Sequence, residues 1–176
     1  VPRNPGFRYL EGRPPADRIA LCFLGRVNRD VDFQAMGRLL RGLEQPVELH
    51  VIGGGDREAQ LRQTAEEAGA QVIFHGKLYG LREKQRIFDR CHFGLNLLKK
   101  TGEPGLAMKS ADYLEASLPV INNVGGETWK FIERHPVGVN YDGKGKITAS
   151  KLLALQSRRE QIQALYYAYF AGRVFS

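Results

Sequence analysis

Cysteine is scarce in this chain: Cys22 and Cys91 are its only two, and no CxxC spacing joins them. Both lie in apolar stretches, which predicts buried thiols of a cytosolic protein rather than a disulfide. Long apolar runs are missing as well, so a bilayer-spanning helix, which needs about 20 such residues, is not expected. No signal-peptide pattern opens the sequence, and the setting expected is cytoplasmic. His50, His92 and His135 show no mutual spacing that suggests a metal site, so none is expected. Gly53–Gly55 looks like a phosphate loop at first sight, but neither GxGxxG nor GxxxxGK is present. It reads as a tight turn that lets backbone approach a cleft. There is no internal repeat and no low-complexity tract.

A chain of 176 residues has the size of one domain and enough apolar residues for a core. Its net charge of +7 points towards anionic partners such as a nucleoside diphosphate, an acidic lipid or nucleic acid. No stacking aromatic platform is interleaved with the basic residues, so nucleic acid is not an expected partner. Residues 1–17 are rich in Pro and Arg and read as a linker or chain end.

From residue 18 onward, short apolar runs alternate with amphipathic stretches. Strands are expected at Ile19–Leu24, Val47–Ile52, Val72–His75, His92–Leu97, Pro119–Asn122 and Val137–Tyr141. Helices are expected at Phe33–Gly42, Arg57–Ala68 (with Asp56 as N-cap), Leu81–Cys91, Glu127–Arg134, Ile147–Gln156 and Glu160–Ala171, with a further short one in the segment after residue 106. That alternation implies an α/β, Rossmann-like domain with a mainly parallel six-stranded sheet and helices on both faces.

The stretch Leu106–Trp129 is the most informative. A helix carrying Lys109, Asp112 and Tyr113 leads through a small-residue turn into a buried strand, then a Gly-Gly turn opens another helix. A cation and an acid three residues apart share one helical face, at the strand end where open α/β sheets bind ligands. The arrangement suits a phosphorylated, hydroxyl-bearing ligand. Trp129 reads as a packing residue.

Five signals in order carry a family resemblance: Leu24-Gly25-Arg26, Ile52-Gly53-Gly54-Gly55, Phe74-His75-Gly76, the K-S-A-D-Y segment Lys109–Tyr113, and Leu118-Pro119-Val120-Ile121. From about Ile19 to Asp142 the chain resembles the C-terminal, donor-binding domain of GT-B glycosyltransferases, in the retaining group often called family four. The resemblance implies a nucleoside-diphosphate sugar of UDP or GDP type as donor, no cofactor, and transfer to an acceptor hydroxyl with retention. It implies Asp112 as the acid on the ribose hydroxyls, with Lys109 and Arg26 on the diphosphate. Gly25, His75, Gly76 and Ser110 would line the same site. Two departures stand out. The lysine usual after Arg26 is missing from Val27–Phe33, where Arg29 is a substitute. Pro104 occupies the place of the first acid of a pair, with Glu103 one step away as the donor-sugar contact. Lys99 and Lys100 either face phosphate or are simply solvated.

Only one of the two GT-B domains is represented, so the acceptor site is expected from an absent N-terminal domain. The aromatic C-terminus (Tyr166, Tyr167, Tyr169, Phe170, Phe175) is then expected to lie partly exposed. A chain able to bind donor without turnover is expected, in polysaccharide or glycoconjugate synthesis. Its basic charge suits a membrane-surface acceptor and a peripheral place at the inner membrane face. The alternative is a non-catalytic accessory subunit of the same fold. An epimerase lacks support, since no suitable carboxylate pair is evident.

Overall fold

The computed structural model describes residues 12–99 and 108–170, with backbone alone for residues 108–110. Six strands form one parallel sheet in the order β3-β2-β1-β4-β5-β6. They are β1 (Ile19–Leu24), β2 (Val47–Ile52), β3 (Ala70–Gly76), β4 (Phe93–Asn96), β5 (Val120–Asn122) and β6 (Gly138–Asn140). The central strands β1 and β4 are buried at every residue. Their unbroken apolar runs are what a strand covered on both faces requires. The edge strands β3 and β6 are only partly buried.

Helices cover both faces. On one face, α1 (Phe33–Gly42), α2 (Glu58–Glu67) and α6 (Ala149–Ala154) bury Met36, Leu39, Leu61 and Leu152 against Leu21, Leu49 and Leu95. On the other lie α3 (Leu81–Asp89), α4 (Met108–Glu115), α5 (Glu127–Arg134) and α7 (Arg159–Phe170), which bury Phe88, Leu114, Phe131 and Ile162 with Cys22 and Val120. Both cysteines are buried free thiols. The chain switches faces after β3, so connections leave β1 and β4 in opposite directions. A crevice at the carboxyl ends of such a strand pair is the place where open α/β sheets take ligands.

Two local expectations are corrected and a third is met only in part. Asp56 is not the cap of α2: the cap position falls on Arg57, which makes no side-chain cap bond. Its amide donates to the Val27 carbonyl at 3.0 Å, and Glu58 accepts from the Gly55 amide, so the loop itself satisfies that terminus. The penultimate helix is short; Thr148 caps α6, and a 3₁₀ turn at Gln156–Arg158 leads into α7. The aromatic C-terminus is mostly inside: Tyr166 and Phe170 are each 4% exposed, and Phe170 meets Phe131 edge-on at 5.2 Å between ring centroids. Tyr167 and Tyr169 are half-buried beside them, and Phe175 lies outside the described residues. Trp129 is half-buried.

Arg159 pins α7 to this layer. Its fully buried guanidinium donates to the carbonyls of Ser117 (3.1 Å), Cys91 (2.8 Å) and Phe88 (3.0 Å), which end α4 and α3. Helix C-termini carry unpaired carbonyls and partial negative charge, so one cation satisfies two helix ends at once.

Candidate functional site

The carboxyl edge of the sheet is assembled mainly from backbone on the β1–β3 side. Gly25 donates to the Ile52 carbonyl at 2.9 Å, Val27 to that of Gly54 at 3.2 Å, and Gly53 to that of Gly76 at 2.7 Å. Side chains are barred from this seam. A Cβ on Gly53 would stand 2.0 Å from the Gly25 oxygen, at a φ of +128° that L-residues rarely adopt; one on Gly55 would stand 2.3 Å from the Val27 oxygen. The turn therefore lets backbone approach backbone, locking the loop after β1 onto the loop after β2.

That first loop also reaches across the switch point. Asp32 donates its amide to the Leu97 carbonyl at 3.0 Å, Lys99 donates to Asp30 at 2.8 Å, and Val31 and Leu98 form an antiparallel bridge. Asp32 caps α1 by accepting from the Ala35 amide at 3.0 Å. Asn123 clips the segment after β4, accepting from the Leu98 amide at 2.8 Å and donating to its carbonyl at 3.0 Å.

On the β4–β6 side the edge is built from side chains. Asn96, Asn122 and Asn140 end their strands in register. Asn96 donates to Asn122 at 2.7 Å, and Asn122 to Asn140 at 3.0 Å; Asn140 donates to the Trp129 carbonyl at 3.0 Å. Asn122 also accepts from the Val124 amide and donates to its carbonyl, shaping the turn before Gly125-Gly126. The side-chain oxygen of Asn96, 1% exposed, and the Thr128 hydroxyl, fully buried at the start of α5, have no hydrogen-bond partner among the described residues.

Between these halves stands Tyr113 of α4. Its ring lies over Gly94, where a Cβ would be 2.6 Å away. Its hydroxyl accepts from the Leu24 amide at 2.7 Å and donates to the Leu95 carbonyl at 3.0 Å, joining β1 to β4 beneath the crevice. Burial, with Cys22 and Asp112 nearby, holds this phenol well above its ordinary pKa, so it stays a neutral strut.

A family model for group 1 glycosyl transferases matches residues 18–138. The chain belongs to that family. No curated protein matches it by sequence. Among solved structures, it is similar to the catalytic domain of cholesterol-α-glucosyltransferase from Helicobacter pylori, at 15% identity and a TM-score of 0.64, covering 88% of this chain and 98% of that one. It is also similar to sucrose-phosphate synthase from Thermosynechococcus elongatus, at 17% identity and a TM-score of 0.61, covering 96% of this chain and 49% of that one. Anabaena HepE, solved in complex with UDP, matches at 13% identity and a TM-score of 0.58, over 88% of this chain and 45% of that one. The chain thus spans about half the length of these last two. Family and fold agree with a C-terminal GT-B domain.

Within this glycosyl transferase domain, the residues expected at the site fall as follows. Gly25 and Arg26 sit directly after β1, and Arg26 is exposed with no ion pair among the described residues. Arg29 and Lys99 are exposed nearby in sequence on the two bridged segments. Gly76 lends its carbonyl to Gly53 at the end of β3. Lys109 and Ser110 lie in the first turn of α4, and Asp112 follows, 9% exposed. Because α4 follows β4 in a parallel sheet, its amino end returns to the carboxyl edge. Glu103 and Lys100 lie outside the described residues.

His75 is differently engaged. Its ring stacks on His50, centroids 5.1 Å apart, with His50 Nδ1 and His75 Nε2 at 2.8 Å. His50 in turn bonds Glu48, which also accepts from Arg18 at 2.7 Å. Burial first, and then the charge of His50, depress the pKa of His75. Burial opposes ionisation of Glu48, but the bonds from Arg18 and His50 outweigh it and hold the carboxyl below its usual range. Sequence reasoning missed this relay and the asparagine ladder. Asparagine ending two successive strands, Asn96 and Asn122, was the available signal. Among the described residues, no group of three or more His, Cys, Asp or Glu side chains is placed to hold a metal ion, and no helix is long and apolar enough to cross a membrane.

Proposed function

We propose that this chain binds a nucleoside-diphosphate sugar of UDP or GDP type and forms the donor half of a retaining glycosyl transferase. The observation that carries the reading is the exposed guanidinium of Arg26, without an ion pair among the described residues, on a loop bridged across the switch point, at the edge to which the amino end of α4 brings Lys109, Ser110 and Asp112. Arg26 and Lys109 are assigned to the diphosphate, Asp112 to the ribose hydroxyls and Glu103 to the sugar. Gly25, His75 and Gly76 contribute backbone around the nucleotide. As the bond to the sugar breaks, negative charge grows on the leaving diphosphate, and fixed cations with the dipoles of α4 and α5 stabilise it. The reading assigns no cofactor or metal. The UDP bound by HepE supports this ligand class.

The acceptor site is assigned to an N-terminal domain facing this edge, consistent with the half-length match to sucrose-phosphate synthase. A cytoplasmic place, a membrane-surface acceptor and a role in polysaccharide or glycoconjugate synthesis belong to the same reading. The chain by itself binds donor without transferring sugar. Calorimetric titration with UDP and GDP tests this, with Arg26→Ala and Lys109→Ala beside the parent chain. Saturable binding that weakens at least tenfold in each variant, about 1.4 kcal/mol, is expected. A folded chain that binds neither nucleotide would instead be a non-catalytic accessory subunit, the reading favoured by Pro104 in place of the first acid.

A further inference from the structure

We propose that the outer side of α3, headed by Lys77 and Tyr79, is a docking surface for an anionic lipid membrane. Arg82, Arg86 and Arg90 recur every fourth residue, a step of about 40° around a helix, so they form one stripe. All three are exposed, and none takes part in an ion pair between described residues. Lys84 adds a half-buried cation, while Glu83 is the one exposed acid on the helix. Asp89 is no counter-charge at the surface, being 2% exposed and bonded by Gln85 at 2.8 Å. Gly12 packs on the Cβ of Asp89, which brings exposed Arg13 to the same end.

The opposite face of the sheet differs. There α2 exposes Glu58, Glu66 and Glu67, and its Arg62 is tied to Glu66 at 3.2 Å. That face also exposes Arg38 and Arg41 on α1, with Arg38 donating to the Gly143 carbonyl at 2.9 Å, so what sets α3 apart is its stripe of three exposed arginines at four-residue steps and not the bare number of cations. Guanidinium groups pair two donors with phosphate oxygens, which suits lipid headgroups. Tyr79 is 83% exposed in the loop between β3 and α3. An amphipathic ring in that position settles at the headgroup level. Leu78 and Leu81 pack inward on the core, so attachment is electrostatic with a single aromatic anchor. A single-stranded nucleic acid would call for several stacking rings along the basic track, and among the described residues this one has only Tyr79. Because Lys77 and Tyr79 follow β3 directly, docking would set the carboxyl edge beside the bilayer. The inference stands apart from donor binding and does not depend on it.

Flotation of the chain with vesicles tests it, using phosphatidylcholine alone and phosphatidylcholine containing phosphatidylglycerol. Binding to the anionic vesicles only, fading as salt rises, is expected. Each arginine near such a surface is worth about a fivefold gain in partitioning, so the triple variant Arg82→Gln, Arg86→Gln, Arg90→Gln should bind on the order of a hundredfold more weakly. The triple variant Arg41→Gln, Arg57→Gln, Arg62→Gln removes the same charge from the other face and should stay within about threefold of the parent. All six arginines are surface residues, and near-ultraviolet circular dichroism verifies that both variants are folded. Equal losses in the two triples, equal binding to neutral vesicles, or no binding at all would overturn the proposal. So would displacement from vesicles by an RNA oligonucleotide, which would make the stripe a nucleic-acid surface.

Discussion

The two halves of the carboxyl edge solve one problem in opposite ways. Around β1–β3 the loops interlock through backbone bonds, and glycine is required because side chains would collide. Around β4–β6 the strand ends are joined by asparagine side chains, added to single backbone bonds from Asn123 to Asn96 and from Tyr141 to Asn122. A backbone lock tolerates no added atom, whereas a side-chain ladder can be edited one rung at a time. Failures in the first half should therefore be abrupt, and those in the second graded.

The largest effect is expected from Gly53→Ala. The added methyl meets the Gly25 oxygen and the backbone sits at positive φ, so a loss of about 4 kcal/mol is expected in chemical denaturation, together with loss of nucleotide binding. Asn122→Ala comes next. It strips partners from Asn96, Asn140 and both polar groups of Val124, for about 3 kcal/mol. Asn140→Ala, which removes only the outer rung, should cost about half as much on the same urea curve. If Gly53→Ala proved as mild as that outer-rung change, the contrast between the halves would be wrong.

A change at the other end of the strands sharpens the comparison by leaving both halves alone. His92 is buried, and its Nδ1 accepts from the Ala20 amide at 3.0 Å. Burial first, and then the charge of Arg159, lower its pKa from 6.5 to about 4. Its folded pKa lies below its unfolded one, so the neutral ring stabilises the fold above pH 6.5, and that contribution is lost as pH falls towards 4. It amounts to on the order of 2 kcal/mol. His92→Asn, which keeps an acceptor but no titration, should flatten urea midpoints across that window. Tyr113→Phe leaves the Leu24 amide unpaired, removes the donor to the Leu95 carbonyl and should cost about 1.5 kcal/mol, no more than the outer rung, while keeping the ring packed on Gly94.

Much of this fold was legible in the sequence. All six strands and both layers followed from apolar runs punctuated by glycine, since burial on two faces leaves a continuous hydrophobic signature. Element ends were less so. Asp56 has the chemistry of an N-cap, yet Val27, almost thirty residues earlier, supplies the carbonyl that settles that terminus. The asparagine ladder depends on register between strands that no local pattern reports. The aromatic tail looked like surplus apolar surface until α7 was seen packed on Phe131 and anchored through Arg159. Of the residues expected at the site, Gly25 and Arg26 follow β1 directly and Gly76 ends β3, places that strand punctuation alone marks. The asparagines carry no local mark of the bonds they make across strands, and the histidine pair arises only when β2 and β3 lie side by side.

Cys22 and Cys91 are buried in the same layer as α3, α4 and α7, and burial first, then the neighbouring thiol, pushes the pKa of Cys22 well up. Because these are the only thiols in the chain, a thiol reagent has nothing to attack while that layer is closed. The modification rate is then a clock for its opening, and a nucleotide seated across the β1–β4 seam should make that clock run slow without the reagent ever touching the site.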